Sequence, residues 1–317
     1  MADPVRLLLY SDPLFERHET GEHPECAERL RAIRRRLAAS RLLAQTTAGT
    51  IRAATAEELG RVHPAPYQET VRAFARQGGG HLDPDTIVSP ESADVAVTAA
   101  GTACAAVDEV MAGRADRALC LSRPPGHHAL PSRAMGFCLF NNIAVAAAHA
   151  RAAHELDRVL IVDWDVHHGN GTQDIFYEDG AVHFLSAHRY PFYPGTGAAD
   201  ETGSGPGLGA IHNVPLKFGI SRVGFRDAFR KGLEYLAERS RPQLVLISAG
   251  FDAHANDPIG SLGLESEDFG RLTEDVLDVA RAHCGGRVVS VLEGGYGLDE
   301  LAESVECHLS ALLKGSA

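Results

Sequence analysis

No stretch of this 317-residue sequence approaches about 18 apolar residues, so nothing in it predicts a membrane-spanning helix. The opening segment, Met1 to Tyr10, has too short an apolar run for a signal peptide and no small-residue cleavage site. None of the six cysteines (Cys26, Cys104, Cys120, Cys138, Cys284 and Cys307) belongs to a Cys-x-x-Cys pair or has zinc-finger spacing. They predict reduced, mostly buried thiols in a cytoplasmic protein. An excess of base is missing as well. The formal net charge of −12 argues against a nucleic-acid partner and is compatible with a cationic substrate. There is no Ser- or Pro-rich linker, no charge run and no internal repeat, so residues 1–317 are expected to form one domain. Gly-x-Ser-x-Gly is absent, although Thr202-Gly-Ser204-Gly-Pro approaches it superficially. No Gly-x-Gly-x-x-Gly follows a strand, and the glycines at 203, 205, 207 and 209 fall in a long loop, which leaves nucleotide binding unsupported.

What is present alternates. Residues 5–10 read as a first strand, 28–39 as an Arg/Leu/Ala-rich helix, 55–59 and 65–76 as helices, and 92–112 as a long helix. Thr55-Ala-Glu-Glu58 opens its helix with a capping pattern. Residues 81–91, with two prolines, read as a loop. Strands are predicted at 118–122, 158–163, 181–187, 243–248 and 287–292, with helices at 141–155, 223–239, 267–283 and 299–313. Residues 188–211 form a loop long enough to point to function. Alternating strands and helices predict an α/β fold whose central sheet is mostly parallel and covered by helices on both faces.

In such sheets, ligands bind beyond the carboxyl ends of the strands. The chemistry-bearing residues fall there. Strand 118–122 runs into Arg123-Pro-Pro-Gly-His127-His128, and 158–163 into Asp163, Asp165 and His167. Strand 243–248 runs into Asp252, and 287–292 into Gly294-Gly295-Tyr296. On extended chain, Asp163, Asp165 and His167 share one face. Left dry and unpaired, each charge costs several kcal/mol, which a divalent metal or a hydrogen-bonded proton relay removes. A salt-bridged strand end would do so too.

Asp165, His167 and Asp252 together offer two carboxylates and one imidazole, a three-ligand set that leaves positions open for water and substrate. Zn²⁺ suits it, and the hard oxygen ligands also admit Fe²⁺ or Mn²⁺. Such an ion polarises a carbonyl and lowers the pKa of a bound water. His127 and His128 can then act as base and acid, and a tyrosine beside a Gly-Gly turn can donate to a developing oxyanion. This chemistry is amide hydrolysis.

In order along about residues 5–313, the segments Arg123-Pro-Pro-Gly-His-His, Gly136-Phe-Cys-Leu-Phe-Asn-Asn142, Asp163-Trp-Asp-Val-His-His-Gly-Asn-Gly-Thr172, Pro194-Gly-Thr-Gly197, Ser248-Ala-Gly-Phe-Asp252 and Glu293-Gly-Gly-Tyr296 resemble the histone deacetylase superfamily, in particular its class II-like branch and bacterial amidohydrolases. The resemblance implies the arginase-deacetylase fold, with a sheet of about eight strands. It also implies zinc-dependent removal of acetyl or other acyl groups from lysine Nε in proteins or peptides. Zn²⁺ would be held by Asp165, His167 and Asp252. His128 would be the main base and acid, with His127 as its electrostatic partner. Asp163 would bond His127, Asn170 would stand behind His128, and Tyr296 would bind the substrate carbonyl. Most class I members of that family carry Asp where Asn170 stands, so the resemblance implies that an amide there makes His128 less basic than an Asp would.

Phe137 and Tyr193 would line an acyl-lysine tunnel, with Gly136 giving room and Gly295 and Ile259 contributing to the substrate site. Tyr193 departs from the usual Phe. Asp83 or Asp85 would supply a rim acid, and Asp85 is taken as the substrate contact. A structural K⁺ site is implied around Asp163, Asp165, His167, Ser186 and Ala187. Arg29 resembles the arginine of an internal acetate channel; the alternative is a solvated helix arginine.

Three other readings stand beside lysine deacylation. An acetylpolyamine amidohydrolase of the same superfamily would favour an acid at the tunnel mouth, where Ile259 is apolar; Asp83, Asp85 or Glu201 could replace it. A silent acyl-lysine reader is disfavoured by Tyr296, His127 and His128. An arginase-like binuclear manganese hydrolase would need further bridging ligands. Homo-oligomer formation stays open.

Overall fold

The computed structural model describes residues 5–315, so Met1–Pro4 and the last two residues of the expected 1–317 domain lie outside it. In chain order the strands are β1 (Leu7–Ser11), β2 (Thr47–Ala48), β3 (Gly80–Asp83), β4 (Thr86–Val88), β5 (Arg117–Leu121), β6 (Val159–Asp163), β7 (Val182–Arg189), β8 (Ile211–Leu216), β9 (Leu244–Ala249) and β10 (Val288–Leu292). The helices are α1 (Glu28–Ala39), α2 (Ala56–Gly60), α3 (Ala65–Arg76), α4 (Ser92–Met111), α5 (Asn142–His154), α6 (Asn170–Ile175), α7 (Arg222–Ser240), α8 (Ser266–Cys284) and α9 (Leu298–Leu312). Eight strands form one sheet in the order β2-β1-β5-β10-β9-β6-β7-β8, with every neighbouring pair parallel.

The apolar strands explain the layering. Along β6 every residue is buried, but successive side chains enter opposite cores. Leu160 and Val162 join a core with Leu30, Ile33, Phe229 and Phe269, drawn from α1, α7 and α8. Val159 and Ile161 join a second core with Leu59, Val71, Ala103 and Ile143, from α2, α3, α4 and α5. Covered on both faces, such strands read as continuous apolar runs. Among the described residues, no helix is long and apolar enough to cross a membrane.

The expected capping pattern at Thr55 is a full capping box with Glu58. Residues 81–91 correct the sequence reading: they are not a plain loop but contain most of an antiparallel hairpin, β3–β4. Pro84 and Asp85 occupy its turn, where proline's fixed φ and aspartate's local hydrogen bonding favour chain reversal. Strand β8 also went unread, because Asn213 and Pro215 interrupt its apolar character. Proline is tolerated there because β8 ends the sheet and needs no donor on its outer side. The predicted loop 188–211 shortens accordingly: β7 continues to Arg189, and a 3-10 turn forms at Gly205–Gly207.

Phe229 is fully buried, edge-on to Trp164 with ring centroids 6.1 Å apart. Phe229→Ala should lower stability by about 3–5 kcal/mol, read as a fall in the urea midpoint at constant m. A loss under about 1 kcal/mol would show that the site collapses freely.

Candidate active site

Strands β5, β10, β9 and β6 are consecutive in the sheet, so their four carboxyl ends, with all the chemistry-bearing segments, lie side by side. From the end of β6, the chain folds its own acids into backbone donors. Asp163 Oδ1 accepts from Asp165 N at 3.0 Å, and Asp165 Oδ1 accepts from His167 N at 2.9 Å. Asp252 Oδ1 reaches across from β9 to accept from Val166 N at 2.8 Å, and Asp165 Oδ2 accepts from Gly294 N, beyond β10, at 2.9 Å.

These bonds leave three ligand atoms converging. One atom each from Asp165, His167 and Asp252 lies within 4.8 Å of the others, and all three residues are buried. Among the described residues, Asp252 Oδ2 is buried without a hydrogen-bond partner. His167 Nδ1 lies 3.1 Å from it but also 3.0 Å from Asp165 Oδ1, and one ring nitrogen cannot satisfy both carboxylates. Burial, reinforced by the Asp165 charge, pushes the Asp252 carboxyl up to about 7. For His167, burial opposes protonation, but the two carboxylates outweigh it and raise the imidazole to about 9. The cluster is short of positive charge, and two carboxylates with an imidazole are suitable donors for a divalent ion. Gly294 keeps the approach clear: a Cβ there would stand 2.4 Å from Asp252 Oδ2 and 2.6 Å from Asp165 Oδ2.

The paired histidines face this cluster, with ring centroids 4.0 Å apart. Their partners differ in charge. His127 Nδ1 lies 2.9 Å from Asp163 Oδ2. Burial opposes its protonation, but Asp163 and Asp165 prevail and raise it to about 10. His128 Nδ1 lies 2.7 Å from Asn170 Oδ1. An amide oxygen only accepts, so Nδ1 carries the proton and Nε2 keeps its lone pair. Burial and the neighbouring His127 and His167 hold His128 well below the ordinary histidine value. His168, next in sequence to His167, is spent elsewhere, between Thr196 Oγ1 at 2.8 Å and Gln173 Oε1 at 3.0 Å.

Around this centre the aromatic positions gather. The Tyr193 ring stands 5.2 Å from His128, and that of Phe137 stands 5.8 Å from Tyr296. Tyr296 is buried; burial and Asp252 hold its hydroxyl protonated, far above its ordinary range. Gly136 and Phe137 both adopt positive φ, 57° and 68°, and a Cβ on Gly136 would meet the His128 ring at 2.3 Å. Asp85 Oδ1 accepts from Gly136 N at 3.1 Å, whereas Asp83 pairs with Arg133 at 3.0 Å. Asp85 therefore stands at this wall and Asp83 is engaged outside it. Ile259 and Tyr193 are partly exposed. Ser186 pairs in register with Asp163, and Ala187 follows it on β7.

The Gly295 carbonyl is occupied by Arg29, whose Nε donates to it at 2.6 Å. Arg29 is not a solvated helix arginine. It is fully buried, paired with Glu25 at 3.0 Å, and its guanidinium lies 5.1 Å from the Tyr296 ring centroid.

Three supporting residues escaped the sequence reading. Glu293 Oε2 accepts from Gly126 N and His127 N at 2.7 and 3.1 Å, holding the histidine segment. Asp257 Oδ2 accepts from Tyr296 N at 2.7 Å while its Oδ1 accepts from Ile259 N and Gly260 N, both at 2.9 Å. Phe192 stacks on His167, with centroids 5.2 Å apart and planes inclined by 15°. Glu293 stood in the segment quoted for Tyr296, and Asp257 lies two residues before Ile259; Phe192 carried no signal.

A profile of the histone deacetylase domain matches residues 23–312. The chain belongs to the histone deacetylase family. It is 45% identical over 277 residues to the histone deacetylase-like amidohydrolase of Pseudomonas aeruginosa, covering 87% of this chain and 72% of that one. It is 40% identical to the human polyamine deacetylase HDAC10 over 96% of this chain and 48% of that protein. Among solved structures, that of the HDA15 HD domain superposes with a TM-score of 0.93 at 38% identity, covering 98% of this chain and 88% of the other. The parallel eight-stranded sheet is that of the arginase-deacetylase fold. Membership makes this chain a hydrolase of the deacetylase–amidohydrolase superfamily.

The unpartnered Asp252 oxygen generates a prediction. The near-isosteric Asp252→Asn should cost one equivalent of bound divalent metal relative to the wild type, counted by elemental analysis. An unchanged metal content would place the ion elsewhere.

Proposed function

We propose that this family member removes acetyl or related acyl groups from the Nε of lysine in peptides or proteins, using Zn²⁺ held by Asp165, His167 and Asp252. The observation that carries the reading is the convergence of those three ligand atoms opposite a neutral, Nδ1-protonated His128. When bound, the ion polarises the acyl carbonyl and makes a water molecule easier to deprotonate.

The chain's own groups divide the remaining work. His128 Nε2, its lone pair freed by the bond to Asn170, takes the water proton and later returns one to the departing amine. His127, kept cationic by Asp163, lends positive charge to a step that builds negative charge on the acyl oxygen. Tyr296 donates its hydroxyl proton in a hydrogen bond to that oxygen, and its raised pKa keeps the donor in place. Phe137 and Tyr193 wall the alkyl chain, Gly136 leaves it room, and Gly295, Ile259 and Asp85 complete the substrate contacts. A structural K⁺ is assigned to the strand ends at Asp163, Asp165, His167, Ser186 and Ala187. Residues 1–317 are read as one catalytic domain, and the free cysteines suit a reducing compartment such as the cytoplasm.

A second reading is acetylpolyamine hydrolysis, favoured by the likeness to the human polyamine deacetylase. At the mouth the apolar Ile259, 36% exposed, offers no charge to a second ammonium. Turnover of an acetyl-lysine peptide and of acetylputrescine by metal-loaded protein separates the two. The peptide should be the better substrate; comparable or reversed turnover would sink the preference. On the better substrate, Tyr296→Phe should lower kcat by about 10²–10³, and near-normal turnover would remove its assigned role.

The pH profile tests His128. A carboxylate in place of Asn170 favours the protonated imidazole, so Asn170→Asp raises the His128 pKa. The base must be neutral to accept a proton, so the acid limb of kcat/KM should move to higher pH by about 1–3 units. An unmoved limb would show that another group sets it.

A further inference from the structure

A second acid–imidazole cluster lies at the other end of the sheet. α4 leads into β5 and α5 into β6, so both helices run against the strands and end at the amino-terminal edge, away from the candidate active site. There α4 presents Asp108, and α5 presents His149 and, as its last residue, His154. His149 Nε2 and His154 Nε2 approach the same oxygen, Asp108 Oδ1, at 2.7 and 2.8 Å. The imidazoles are nearly perpendicular, at 83°, with centroids 5.9 Å apart. All three ligand atoms fall within 4.8 Å of one another.

Two further features resemble a metal centre rather than a chance ion pair. The first is the group behind His149. Its Nδ1 lies 3.3 Å from Oε1 of the buried Glu58, so when an ion displaces the Nε2 proton the ring can keep its remaining proton on Nδ1, held by a carboxylate. Metal-bound histidines commonly have such a carboxylate behind them. The second is access. The side chains of His149, Asp108 and His154 are 8%, 35% and 23% exposed, so one side is anchored and the other is open to water and to an entering ion.

The neighbouring cations are already engaged. Arg52 is bound to both oxygens of Glu58 at 2.8 and 2.6 Å and reaches Asp108 only through Oδ2, at 3.4 Å. Arg61 pairs with Glu57 at 2.8 Å and lies 3.4 Å from His149 Nδ1. Asp108 Oδ1 and both Nε2 atoms are therefore engaged only with one another, and an ion that enters takes the place of the two Nε2 protons. Cys104 is near His149 and Glu58, but burial holds its thiol protonated, which leaves the imidazole pair as the binding face.

We infer that Asp108, His149 and His154 form a second site, for a divalent transition-metal ion such as Zn²⁺, that ties α4 to α5. Tetrahedral zinc with bonds of about 2.0–2.1 Å spaces its ligands wider than the 2.7 and 2.8 Å found here. The exposed His154 can move outward to admit the ion. Two imidazoles and a carboxylate suit zinc, nickel or copper over magnesium or calcium.

The test is Zn²⁺ titration of the full chain against a chromophoric chelator. Two equivalents should bind to the wild type and one to His154→Gln or to Asp108→Asn, with amide-hydrolase turnover of both variants unchanged. One equivalent in the wild type, or two retained in both variants, would overturn the second site. Asp252→Asn removes the other equivalent, so failure at either centre is read separately. Co²⁺ in place of Zn²⁺ should give visible bands from both centres, with the Asp252→Asn protein retaining those that His154→Gln abolishes. Bands retained in the double variant Asp252→Asn/His154→Gln would likewise refute the assignment.

Discussion

The structure depends on keeping several charges out of water at one edge of a sheet. Asp163, Asp165, Asp252 and Glu293 are all fully buried. An unpaired buried ion carries a penalty of several kcal/mol even after relaxation, so the surroundings must answer each of them. Backbone N–H groups answer most of the oxygens, and His127 answers Asp163. What remains is the pair Asp165 and Asp252 with only the His167 ring between them. One proton on that ring leaves a carboxylate oxygen unsatisfied; a divalent ion among the three satisfies the set.

The order of the strands turns this local demand into a site. β6 supplies two of the three converging ligands and cannot close the set alone. The third comes from β9, its neighbour, and the turn that clears the way comes from β10, the next strand along. Asp257 ties the backbone of Tyr296 to the segment after Asp252, and Glu293 ties β10 to the histidine segment after β5. A carboxylate accepting two backbone donors fixes two loops relative to one another without occupying the space that substrate needs. Arg29 completes the support from behind, filling the Gly294–Tyr296 turn's own carbonyl side with a cation.

Much of this was legible in the sequence, for identifiable reasons. Strands buried on both faces read as unbroken apolar runs, so β5, β6, β9 and β10 were found, and the acids, histidines and tyrosine just beyond them gather at one edge of the sheet. Sequence could not order those strands in space, because their pairing depends on side-chain packing between elements far apart in the chain. Elements whose stability comes from the sheet edge or from turn chemistry were missed: β8 hides Asn213 and Pro215, and the β3–β4 hairpin reads as a proline-rich loop. Phe192 was invisible because an aromatic residue in a loop does not show which ring it will stack on. Arg29 was ambiguous because a helical arginine reads the same whether it faces solvent or a buried glutamate.

The two acid–imidazole clusters differ chiefly in their access to water. Around Asp252 all three ligand residues are buried, and among the described residues Asp252 Oδ2 has no hydrogen-bond partner that an ion would have to displace. Around Asp108 water reaches the carboxylate, and two imidazole N–H groups already satisfy one of its oxygens. An ion at the outer cluster must displace those bonds, so its net gain is smaller and its binding more readily reversed. An ion at the inner cluster would be part of the folded structure's charge balance, whereas one at the outer cluster would be an optional clamp between two helices. The same residue types would therefore hold an ion firmly in one place and exchangeably in the other.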